Sequence, residues 1–110
     1  MSERQELAQR IADFVLNNEM TTPYGGDVVK SGNHYTVLFS KAAILDGAVD
    51  VYGPKFIQVK YQTQYRDLPA KASMVFESET NALDFLNKAF VIRDFDGALD
   101  VPTKRSYGPW

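Results

Sequence analysis

The hydrophobic period of this chain changes from 3.6 to 2 and back to 3.6 within 110 residues. Apolar residues every three or four positions make a stripe along a helix, and apolar residues at every second position make one face of a strand. Leu7, Ile11, Phe14 and Val15 recur at i, i+4, i+7 and i+8. Ser2 and Gln5 precede them at capping-box spacing, and Glu6 stands four residues before Arg10, the favourable order for a helical ion pair. The spacing predicts a helix over 3–18, stopped by Asn17-Asn18 and then Thr21-Thr22-Pro23.

From Val28 the period is two. Tyr35, Val37 and Phe39 share a face in the strand His34–Ser40, and Val28–Lys30 is placed to pair with it through Ser31-Gly32-Asn33. Asp46-Gly47, between Ala42–Leu45 and Ala48–Tyr52, predicts a tight type I′ hairpin. Gly53-Pro54 leads into a strand over Lys55–Thr63, with Ile57, Val59, Tyr61 and Thr63 on one side. Gln64–Lys71, holding Pro69, reads as a loop, and Ser73–Glu77 as a further strand. A second helix follows, capped by Ser78 or Thr80. Its stripe is Leu83, Leu86 and Phe90, widened by Ala82 and Ala89, with Asp84 and Lys88 paired at i,i+4.

Short connections make neighbouring strands antiparallel. The expected fold is α+β: a two-layer sandwich with an antiparallel sheet of four to six strands and both helices on one face. Its order is α-β-β-β-β-β-α-tail, one domain over 1–110 with 93–110 an extended C-terminal tail. Leu45–Val51 and Phe95–Val101 agree at five of seven positions. Both read as a tight turn followed by an extended segment, which makes Ala98–Val101 a late edge strand.

Composition narrows the function. Seven Phe, six Tyr and one Trp suffice for a core, and no apolar run approaches the roughly 18 residues needed to span a bilayer. The chain has no cysteine, which removes disulfides, thiol nucleophiles and zinc-thiolate sites. The reading is an intracellular, cytoplasmic protein without a membrane segment. Residues 28–76 are mildly basic and both flanks acidic, for a net charge of −2. That pattern suits parts packing on each other and argues against a nucleic-acid footprint.

No catalytic constellation is present, so neither catalytic residues, a metal nor a cofactor is expected. His34 is the single histidine, and no G-x-S-x-G surrounds a serine. Asp94, Asp96, Gly97 and Asp100 imitate a calcium loop, but Ile92 and Thr103 stand where its terminal ligands belong. Glu77 and Glu79 suit a helix N-terminus.

Three readings follow. The leading one is a non-catalytic binding or interaction module that associates with itself as a homodimer or with another protein. It rests on the sheet face turned away from the helices, where Leu38, Tyr52 and Phe56 stand among Thr36, Gln58, Lys60 and Gln62, with Trp110 in the tail as a further interface residue. The alternative is a small-molecule site or enzyme cleft by the 19–27 loop, lined by Tyr24, Asp27, His34 and Tyr35, with Arg66 nearby. The third is single-stranded nucleic acid on Tyr52, Phe56, Lys55 and Lys60.

Overall fold

The computed structural model describes residues 2–21 and 27–104. Helix α1 (Glu3–Asn17) begins where Ser2 Oγ accepts the Gln5 N–H at 3.1 Å. Leu7, Ala8, Ile11, Ala12 and Val15 are its buried face. Five strands follow: β1 (Val28–Ser31), β2 (His34–Lys41), β3 (Leu45–Gly53), β4 (Phe56–Thr63) and β5 (Lys71–Phe76). They pair antiparallel in sequence order as one sheet. Helix α2 (Glu79–Leu86), capped by Ser78, runs into one π-helical turn, Asn87–Val91. A short helix α3 (Phe95–Leu99) closes the described fold. This is the expected α+β sandwich, with the helices together on one face of the sheet.

The core lies between these layers. Val37 and Phe39 of β2, Val49 and Val51 of β3, Ile57, Val59 and Tyr61 of β4 and Met74 and Phe76 of β5 are all buried on the helix side. Phe85 and Phe90 meet Tyr61 with ring centroids 6.2 and 5.4 Å away. Phe85 is fully buried, although the spacing used to predict α2 left it off the stripe. It lies three residues after buried Ala82 on the same helix face, and the π turn that follows, at Asn87–Val91, adds a residue to the helical repeat before Ile92. Lys41, at the end of β2, donates to the Phe90 carbonyl and so sets a cation near the helix C-terminus, where the dipole favours it. On the surface Arg10 grips Glu79 through two hydrogen bonds of 2.7 and 2.9 Å. That bonding holds the guanidinium above its ordinary proton affinity.

Two turn assignments are corrected. Asp46-Gly47 is not a hairpin turn but lies inside β3, with Gly47 opposite both Phe39 and Tyr61. A Cβ on Gly47 would come within 2.2 Å of Phe39 Cζ and 2.6 Å of the Lys60 carbonyl, so the glycine makes room for the neighbouring ring. The β2–β3 turn falls instead at 42–44, in the segment predicted as a strand, where Ala42 adopts φ +48°. Nor is Ala98–Val101 a late strand. Asp94 Oδ1 accepts the Gly97 N–H at 3.1 Å, residues 95–99 turn helical, and Ala98 is buried.

The predicted 93–110 tail is therefore helical in part. It becomes irregular at 102–104 and runs along the free edge of β5, where the Val75 carbonyl accepts the Lys104 N–H at 2.8 Å and the Thr103 hydroxyl at 3.0 Å.

Candidate functional site: the outer face of the sheet

Register places the residues that alternate away from the helices. Across the middle run Val29, Thr36, Asp50, Gln58 and Val75. Beside them lie Leu38, Ala48, Lys60 and Ser73, and beyond those Ser40, Asp46, Gln62 and Lys71. At the other end stand His34, Tyr52 and Phe56, where a β-bulge between Val51 and Gly53 re-aims the strand. No described helix covers this face.

Its centre is polar and satisfied from within. Asp50 is only 4% exposed although it sits on the side that no described helix covers. Thr36 Oγ1 donates to Asp50 Oδ1 at 2.7 Å, and Lys60 Nζ pairs with Oδ2 at 3.1 Å. His34 Nε2 is 3.6 Å from Oδ1. Gln58 Nε2 donates to Ser73 Oγ at 2.8 Å. A carboxylate removed from water is tolerable only when a cation and hydrogen-bond donors attend it, and here both do.

An aromatic corner borders this cluster. His34 stacks on Tyr52 with centroids 4.4 Å apart, and Tyr52 meets Phe56 edge-on at 5.1 Å. Tyr52 stays 38% exposed and Phe56 47%. Val29 and Leu38 add apolar surface on the β1–β2 side. Toward β5 a shallow groove of about 360 Å³ lies between Phe56, Gln58, Val75 and Lys104. The Lys104 ammonium pairs with Glu77 at 3.2 Å.

Of the residues singled out in the sequence, Leu38, Tyr52, Phe56 and His34 share this face. Tyr35 points the other way, half-buried against the core, so His34 and Tyr35 do not line one cleft. Asp27 is exposed ahead of β1, while Tyr24 and Trp110 lie outside the described residues. Asp50 was missed as a site residue. Its one signal is a charge at an outward position between two valines, and any solvated strand residue gives the same signal.

Chemically the face offers a neutral platform. Asp46 and Asp50 are matched by Lys60 and Lys71, and among the described residues no group of three or more His, Cys, Asp or Glu is placed to hold a metal. Among them, too, no helix is long and apolar enough to cross a membrane. No known family model, curated protein or solved structure matches the chain.

Proposed function

We propose that this chain is a non-catalytic interaction module whose outer sheet face packs against the same face of a second copy. The observation that carries this reading is a sheet face that no described helix covers, bordered by exposed aromatics and polar at a centre whose groups already have partners in the same chain. Covering such a centre leaves the Thr36–Asp50, Gln58–Ser73 and Lys60–Asp50 contacts in place, which lowers the usual penalty for burying polar groups. With acids and bases balanced, two copies meet without net repulsion.

Size agrees with that partner. Five strands of 4, 8, 9, 8 and 6 residues, about 4.8 Å apart and at roughly 3.3 Å per residue, present about 550 Å². Two faces together then bury about 1,100 Å², above the roughly 1,000 Å² expected of a biological interface and in the range of weak ones. The expected dissociation constant is micromolar, because the centre of the face contributes charge pairs where strong interfaces place apolar anchors. We place the pair in the cytoplasm, the compartment that the cysteine-free sequence suits.

The test is light scattering coupled to size exclusion over a range of loading concentrations. A mass rising from one chain toward two is expected, and Phe56→Glu, which sets an unpaired charge in the patch, is expected to hold the protein at one chain. A single-chain mass at every concentration up to the millimolar range overturns the dimer. The groove between Phe56, Gln58, Val75 and Lys104, a different place from the cleft expected by the 19–27 loop, is then the place to test for a small molecule.

A further inference from the structure

We propose that the groove between Phe56, Gln58, Val75 and Lys104 is a seat for this chain's own Trp110. The groove holds about 360 Å³ and lies on the outer face of the sheet, toward β5. The seat lies within one chain and needs no second copy.

The backbone leads into the groove. Val101 is buried in the core between sheet and helices. Pro102 and Thr103 share a hollow with Asn81 of α2. The Lys104 N–H and the Thr103 hydroxyl both donate to the Val75 carbonyl, which fastens the chain to the edge of β5. Lys104 then lines the outer groove together with Phe56 and Gln58. Within three residues the chain has gone round the edge of the sheet, from the helix layer to the opposite face. The sequence continues from there as Arg105-Ser106-Tyr107-Gly108-Pro109-Trp110. Six residues reach at most about 20 Å when fully extended. Phe56 stands on β4, two strand spacings of about 4.8 Å from the chain at the edge, so the segment spans the groove with length to spare.

The walls choose the ring. Phe56 is exposed, and a second aromatic ring gains by packing on it. Gln58 Nε2 donates to Ser73 Oγ at 2.8 Å, which orients the amide and leaves its carbonyl oxygen to accept. Indole carries a single N–H that only donates and that needs an acceptor once it is buried. Of the two rings in the segment, the indole has the larger apolar area and matches walls that are apolar but for that carbonyl and an ammonium already paired with Glu77. A second copy docking over Phe56 has to displace the ring, so the seat weakens the pairing proposed above without depending on it.

Trp110 is the single tryptophan, so indole fluorescence reports on it alone. Emission and acrylamide quenching are read on the full chain at concentrations where light scattering gives the mass of one chain. The expected result is an emission maximum to the blue of N-acetyltryptophanamide in water and quenching several-fold slower. Phe56→Ala is expected to return both toward the free values, and Leu38→Ala, on the β2 side of the same face, to leave them unchanged, with circular dichroism checking that each variant is folded. Wild-type values equal to the free ones, or a blue-shifted emission that Phe56→Ala leaves in place, overturn the seat. A shift that appears only where the mass rises to two chains also overturns it and leaves the dimer standing. A seated indole in a chain that stays single at every concentration overturns the dimer and leaves the seat.

Discussion

Gly47 shows how one missing side chain sets the course of a strand. The Asp-Gly pair has the composition of a hairpin turn, yet Gly47 is straddled by Phe39 on β2 and Tyr61 on β4, with the Lys60 carbonyl beneath it. Glycine is needed there for clearance, and its φ is not among the left-handed ones. A methyl group would collide with an aromatic ring and with backbone, and backbone yields less readily. Gly47→Ala is expected to cost about 1–3 kcal/mol, read as a lower urea midpoint. Adding Phe39→Leu should make the pair of substitutions less costly than the sum of the two singles, because they share one space. Asp50 carries the converse lesson. Its charge is easy to read in the sequence, but its burial depends on Thr36 and Lys60, which only register brings to it.

The repeated heptapeptide makes the same point for an element. Leu45–Val51 is strand and Phe95–Leu99 is helix, although five of the seven positions agree. One differing position exchanges Val49 for Leu99, a β-branched side chain for one that keeps its rotamers in a helix. The larger difference lies outside the heptapeptide. Leu45 follows a turn and enters a ladder between β2 and β4, whereas Phe95 follows Asp94, whose carboxylate caps the helix, and its ring meets Tyr65 with centroids 5.5 Å apart. Asp94→Ala is expected to cost about 1 kcal/mol and to speed amide exchange over residues 95–99 ahead of the rest, which hydrogen-exchange mass spectrometry resolves. The long helices and alternating strands were legible because each carries its own period. The turn at 42–44 was not, because Ala42 at positive φ has no compositional signature.

For the whole molecule, association and stability are linked. A partner that binds only the folded chain raises the unfolding temperature with its own concentration. Calorimetry over a hundredfold range of protein concentration is expected to show a rise of several degrees for wild type and none for Phe56→Glu. The sequence by itself determined the two amphipathic helices, their order around the alternating strands, the antiparallel pairing of the sheet and which side of it meets the helices, since those follow from periods of 3.6 and 2 and from short connections. It also marked Leu38, Tyr52 and Phe56 as outward. Only the tertiary structure decided that Asp50 is sealed beneath Thr36 and Lys60, that His34 stacks on Tyr52, and that Asp46-Gly47 continues a strand. Those facts depend on which strands lie side by side and in what register, and contacts between residues distant in the chain leave no local pattern to read.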